Sequence, residues 1–362
     1  MSTSDHPVSN EDSVGTFPGS PKDFEGKEVI LELRNLRKYF PIKSQNILFS
    51  KTVGHIKAVD GVDLQLYKGE VLGLVGESGC GKSTLSKLIV GLEEPTTGEV
   101  WLRDENVHME TDKKKKMNIR RNLQMVFQDP YNSLNPRRMV KDTLIEPLRI
   151  HHLEEEDQFG AVLQILTKVG LEDYHSMRYP HEFSGGQRQR IGLARALIMK
   201  PEVIIADEPV SALDVSVQAS ILNLIQDLQK EMNVSIIFIA HDLSVVKHVS
   251  NRVAVMYLGR LVEIGPTSEV FHRPAHPYSV SLISAIPFPD PDIQKKKVIL
   301  TGDVPSPINL PPGCRFAPRC YKAQPKCHEE SPILENIRGD IWAACHYPED
   351  EEVIHLDTIK ES

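Results

Sequence analysis

Residues 76–84 read Gly-Glu-Ser-Gly-Cys-Gly-Lys-Ser-Thr, and no other stretch constrains the fold as tightly. The apolar run before it, Val71-Leu72-Gly73-Leu74-Val75, has the composition of a short buried strand. The segment after it, from Leu85 to Val90, reads as a helix. Glycines between a strand and a helix let backbone N–H groups converge on one anion with no Cβ in the way. The helix that begins at Lys82 adds its partial positive N-terminus. Gly76, Glu77, Ser78, Gly79, Cys80, Gly81, Lys82, Ser83 and Thr84 thus match the phosphate-loop pattern G-x-x-x-x-G-K-S/T in its required context. Lys82 is expected to reach the β- and γ-phosphates of a nucleotide, and Ser83 to ligate Mg²⁺.

The chain has 362 residues, more than one compact core usually holds, so a main domain plus an appendage is expected. A formal net charge of −8 argues against a nucleic-acid partner, which calls for a basic face. No apolar run reaches the length of a transmembrane helix, and the N-terminus has no signal-peptide pattern. The expected location is cytoplasmic, with any membrane work done through a partner.

Residues 1–27 are rich in Ser, Asp, Gly and Pro and read as a disordered tail. The apolar runs at 203–206 and 235–240 are continuous, as in parallel strands covered on both faces. Helical periodicity lies between them at 217–231 and across 140–200. The fold class is therefore α/β, with a parallel sheet and a mostly helical insertion at about 129–198. The four lysines at 113–116 read as a solvated face. Past Pro266 prolines punctuate a region of little periodicity, predicting a separate loop-rich extension over 267–350 and an acidic tail over 351–362.

Two further signals bear on nucleotide chemistry. The strand at 203–206 ends in Asp207-Glu208; the first acid is placed to hold Mg²⁺, the second to act as a base on water. Phe183 is followed by Ser184-Gly185-Gly186-Gln187, small residues that expose N–H groups at a helix start. In this order the phosphate loop, Ser-Gly-Gly-Gln and the Asp-Glu strand end resemble the ATP-binding subunits of ABC transporters over residues 29–270.

That resemblance implies a P-loop NTPase core and adds roles residue by residue. Gln128 matches the glutamine that contacts Mg²⁺ and the attacking water. Asp214, in Ser211-Ala212-Leu213-Asp214, matches a loop at a dimer interface. His241 matches the switch histidine at the γ-phosphate. Phe40 matches the aromatic that stacks on adenine, with Tyr39 the fallback. Ser184, Gly185 and Gly186 would close over ATP held by a second subunit, so a dimer with two interfacial ATPs is implied.

The extension narrows the resemblance. His276-Pro277-Tyr278, residues 282–287 and Gly313-Cys314-Arg315-Phe316, with the loop at 128–137, resemble dipeptide and oligopeptide importer ATPases. The implied partners are a second, paralogous ATPase, two membrane permeases and, indirectly, an extracytoplasmic peptide-binding protein. Nickel or glutathione importers share the tail pattern, and a soluble ABC-type ATPase is a more distant alternative. Cys314, Cys320, Cys327 and Cys345 are spaced C-x5-C-x6-C-x17-C, without the Cys-x2-Cys pair typical of zinc fingers. Four thiolates can hold a [4Fe–4S] cluster or Zn²⁺. The resemblance implies the cluster; zinc and free buried thiols stay open.

Overall fold

The structure is a computed structural model that describes residues 21–43, 52–129, 133–153, 157–286 and 305–350, together with 298, 300 and 302. Most of the N-terminal tail, Pro130 to Asn132 of the 128–137 loop and the acidic tail at 351–362 lie outside the described residues.

Two sheets organise the chain. Strands β1 (Val29–Lys43), β2 (Thr52–Tyr67), β4 (Thr97–Leu102) and β5 (Glu105–Asn106) form an antiparallel sheet in the order β2-β1-β4-β5. The larger sheet contains β3 (Val71–Val75), β6 (Leu123–Val126), β7 (Val203–Asp207), β8 (Ser235–Ile239), β9 (Arg252–Tyr257), β10 (Arg260–Pro266), β11 (Glu335–Arg338) and β12 (Ile341–Ala343). Its order is β11-β12-β10-β9-β3-β8-β7-β6. The pairs from β9 through β3, β8 and β7 to β6 are parallel, and β10, β12 and β11 extend that edge antiparallel.

The continuous apolar strands are covered on both faces, and their two-residue period sorts them into two cores. Leu72, Leu74, Val203, Ile205, Ile237 and Ile239 pack toward the antiparallel sheet and helix α1 (Lys82–Ile89). Val71, Val75, Ile204, Ala206, Ile236 and Phe238 face the opposite layer. That layer includes α3 (Val140–Ile150), α4 (Gln158–Lys168), α5 (Gly185–Leu197), α6 (Val215–Met232) and α7 (Leu243–Val249). The four lysines open the remaining helix of this half, α2 (Lys113–Asn122). Their side chains are exposed, and the Asp112 carboxylate caps the helix by accepting N–H bonds from Lys114 and Lys115.

Composition predicts a loop-rich extension, and the structure shows what it packs on. β12 pairs with β10, Glu263 opposite Ala343 and Ile264 opposite Trp342, so the chain end adds strands to the main sheet. Helices α8 (Thr267–His272), α9 (Pro277–Ser284) and α10 (Pro325–Glu329) carry the rest. The Tyr257 ring of β9 lies tilted against Tyr278 of α9 at 4.6 Å and meets Phe316 edge-on at 5.4 Å. Pairs of this kind contribute about 0.5–1.5 kcal/mol beyond their buried area. The segment has little apolar material of its own because it borrows the core of the domain it packs on.

At the start of β3 one buried ion pair ties the two sheets together. Glu70 is fully buried; it accepts from Arg252 Nη1 at 3.0 Å and from the Tyr67 N–H at 2.8 Å. Burial pushes the Glu70 carboxyl up, and the Arg252 charge opposes that push. Arg252→Leu would leave a buried charge without its partner and should cost about 3–5 kcal/mol in guanidinium unfolding. Adding Glu70→Gln, which keeps an acceptor and removes the charge, should recover at least half of that loss.

Candidate nucleotide site

The phosphate loop leaves the carboxyl end of β3, a central strand of the parallel half, where ligands of open α/β sheets bind. Two of its glycines are required by contact. Gly76 has φ 152° and Gly81 φ 111°. A Cβ at Gly76 would collide with the Met256 carbonyl oxygen, and one at Gly81 with that of Ala58. At these two positions the loop is wedged against β9 and β2 backbone with no room for a side chain. The Lys82 amine spans it, donating to Gly76 O at 2.7 Å and Glu77 O at 3.1 Å.

Ser78, Gly79, Cys80, Gly81, Lys82, Ser83 and Thr84 line one cleft together with Phe40, Gln128, Glu208 and His241. Phe40 is the aromatic brought to the nucleotide end. Tyr39 is engaged elsewhere, donating its hydroxyl proton to Asp60.

Opposite the loop stand the polar side chains. Glu208 follows β7 with φ 47°, a left-handed conformation that costs a non-glycine residue on the order of 1 kcal/mol or more. Its N–H donates to Ile239 O at 2.9 Å, which pins the turn to β8. The Glu208 carboxylate accepts from the Gln128 amide at 2.8 Å and lies 3.5 Å from His241 Nδ1. Asp207 is buried; Oδ2 accepts from Ser86 at 3.3 Å while Oδ1 has no hydrogen-bond partner. Burial pushes the Asp207 carboxyl up. A buried carboxylate with one oxygen unused, beside the helix that carries Ser83, fits a divalent cation; Ser83, Asp207 and Gln128 are the residues that would hold Mg²⁺.

Ser184, Gly185, Gly186, Gln187 and Asp214 are not brought into this cleft. Ser184 caps α5 in a capping box with Gln187. Leu213 comes within 3.3 Å of where a Gly185 Cβ would be, and Val217 packs still closer on Gly186. The small-residue turn and the loop at 211–214 therefore share one surface, where Val215 is 83% exposed.

The four extension cysteines line one small cavity with His276, Pro277, Phe316, Ala317, Lys322, His346 and Tyr347. Burial pushes the Cys314, Cys320 and Cys345 thiols up, Cys345 to about 12. Burial also lowers His276 to about 3, so its ring is neutral and Nδ1 accepts from the Tyr278 N–H at 3.0 Å. Among the described residues no group of three or more His, Cys, Asp or Glu is placed to hold a metal ion. The thiols share a cavity without closing on one point.

Sequence reasoning missed part of the cleft wall: Ile56, Lys57 and Ala58 of β2, Leu258 and Gly259 of the β9–β10 turn, and Pro307. It also missed Tyr278 and Arg319, which bind Glu77. Tyr278 lies in the His276-Pro277-Tyr278 pattern, which does not signal a contact with Glu77, and no nucleotide-site pattern in the chain signals the others.

The ABC transporter family model matches residues 59–211, and the model described as the oligopeptide/dipeptide transporter C-terminal region matches residues 262–327. A dimeric ATP-binding cassette solved in a post-hydrolysis state with ADP and phosphate superimposes with a TM-score of 0.57 at 28% identity, covering 66% of this chain and 98% of that one. The chain thus has the fold and site of an ABC-type ATPase. Curated relatives are more specific. The chain is 53% identical over 316 residues to the oligopeptide transport ATP-binding protein OppF of Escherichia coli K12, covering 86% of this chain and 94% of the relative. It is 47% identical to the oligopeptide transport ATP-binding protein AppF of Bacillus subtilis 168, with 88% and 98% covered. It is 49% identical to the dipeptide transport ATP-binding protein DppF of Haemophilus influenzae Rd, with 88% and 96% covered. The chain belongs to the family of oligopeptide and dipeptide transport ATP-binding proteins of ABC transporters.

The wedged loop makes a direct prediction. Gly81→Ala forces a left-handed alanine against the Ala58 carbonyl, so ATP affinity should fall by about tenfold or more. Isothermal titration with ATP reads this, and an unchanged far-UV spectrum shows that the fold survives.

Proposed function

We propose that this chain hydrolyses ATP to drive uptake of dipeptides or oligopeptides through a membrane ABC importer. The observation that carries the reading is the cluster of Gln128, Glu208 and His241 facing the phosphate loop across one cleft, in a chain whose relatives are named for peptide transport.

In the proposed mechanism the residues divide the work. Phe40 offers its ring to the adenine. Backbone N–H groups of the loop other than those of Glu77 and Cys80, which are already donated, bind the phosphates with the Lys82 amine. Bound Mg²⁺ would neutralise charge developing on the β- and γ-oxygens. Glu208 takes the proton of the attacking water while Gln128 and His241 hold that carboxylate and water in line. The left-handed turn at Glu208 aims the carboxylate out of the sheet.

The surface formed by Ser184 to Gln187 and Asp214 stands outside the chain's own cleft, which supports its closing on ATP held by a second cassette. We take that cassette to be a paralogue. An exposed groove lined by Leu92, Met125, Phe127, Pro147, Ile150 and Arg195 supports permease docking beside Gln128. Phe127 is 36% and Ile150 56% exposed there. Among the described residues no helix is long and apolar enough to cross a membrane. We therefore place the protein peripherally, on the cytoplasmic face of the membrane, held by its permeases.

We extend the proposal to a [4Fe–4S] cluster on Cys314, Cys320, Cys327 and Cys345, which line one cavity but, as placed, form no metal site. The cluster would supply cross-linking energy to a proline-rich segment.

Two experiments test these assignments. Glu208→Gln should lower ATP turnover of the assembled transporter by roughly 10²–10⁴-fold while ATP still binds, since only a proton acceptor is lost. Near-normal turnover would remove Glu208 as the base. Protein purified without oxygen should be brown and hold about four irons per chain, lost on replacing any of the four cysteines by Ser. Stoichiometric zinc without iron would contradict the cluster.

A further inference from the structure

Residues 314–320 read Cys-Arg-Phe-Ala-Pro-Arg-Cys, and this short stretch faces two ways. Cys314 and Cys320 line the thiol cavity. The two arginines between them reach the back of the nucleotide site. Arg319, 9% exposed, grips the Glu77 carboxylate with both ends of its fork, Nη1 to Oε2 at 2.8 Å and Nη2 to Oε1 at 3.1 Å. The Glu77 N–H donates to the Tyr278 hydroxyl at 2.8 Å. The second residue of the phosphate loop is therefore held by side chain and by backbone, both times from the extension. Arg315 acts on the loop's neighbour. It donates to the Leu258 carbonyl and pairs with Asp60, and the adjoining Gly259 N–H donates to Cys80 O at 2.8 Å.

Resting on the reading of residues 76–84 as the phosphate loop, we propose that Arg319 is a positioning residue of the nucleotide site, fixing the first turn of that loop with the help of Tyr278. Two physical effects favour nucleotide binding. A bidentate ion pair, with Arg319 nearly buried and Glu77 partly exposed, orders the loop in advance, so less freedom is lost when ATP binds. The same pair neutralises Glu77, which would otherwise set a free carboxylate beside a polyphosphate. Arg319 touches no phosphate in this arrangement; it acts through Glu77.

The test is ATP binding by the full chain, followed in the assembled transporter by the dependence of turnover on ATP concentration. Arg319→Gln should weaken ATP binding roughly tenfold and raise KM, leaving kcat within about twofold. Arg319→Lys should recover part of the loss. Because one interaction is removed in each case, Glu77→Gln combined with Arg319→Gln should bind no more weakly than Arg319→Gln alone. Tyr278→Phe keeps the packed ring and removes only the acceptor, so it reports on the loop even if Arg319→Gln destabilises the extension; it should weaken binding by about threefold. Unchanged affinity in Arg319→Gln and Tyr278→Phe overturns the proposal, as does a fall in kcat without a rise in KM, or additive losses in the double variant. Lys82→Ala separates the two layers. If it binds ATP normally, the phosphate-loop reading fails. If it loses ATP while Arg319→Gln and Tyr278→Phe do not, only the positioning role fails.

Discussion

The site depends on the backbone of one loop pressed against the backbone of its neighbours. At Gly76 and Gly81 the chain runs so close to the carbonyls of Met256 and Ala58 that no side chain fits. That contact brings β9 of the parallel sheet and β2 of the antiparallel sheet onto the same few residues. It holds Ser78 to Thr84 along the cleft, where an anion can meet backbone N–H groups of the loop. The two cores on either side of β3 serve the same end, because a strand buried on both faces cannot shift without breaking both. A loop anchored this way presents its donors before a ligand arrives.

The other wall of the cleft is built on strain and burial. Glu208 sits in a left-handed turn, and its neighbour Asp207 keeps a buried oxygen without a partner. Neither choice favours folding; both put acidic oxygens where a cation and a water would need them. The Arg252–Glu70 pair at the opposite end of β3 is a different kind of burial, with the two charges paired and no chemistry to do.

What was legible in the chain follows from range. The phosphate loop, the Asp207-Glu208 strand end and the parallel strands are local patterns, and their apolar runs and glycines show without a structure. Choosing Phe40 over Tyr39 rests on resemblance; in the structure Phe40 lines the cleft, while the Tyr39 hydroxyl is taken up by Asp60. The proline-rich composition marks the extension but hides the packing it borrows. Its strand β12 and the Tyr257–Tyr278–Phe316 cluster depend on partners far away in sequence. Arg319 and Glu77 are 242 residues apart, and nothing near either announces the other.

The account holds that the loop is preset and that ATP binding moves side chains rather than backbone. A structure of the full chain with ATP and Mg²⁺ tests this most directly. The account predicts that residues 76–81 keep their backbone path, that Glu77 stays bonded to Tyr278 and Arg319, and that the Lys82 amine leaves the Gly76 and Glu77 carbonyls for the phosphates. A loop that refolds around the nucleotide, with Glu77 released from the extension, would contradict it.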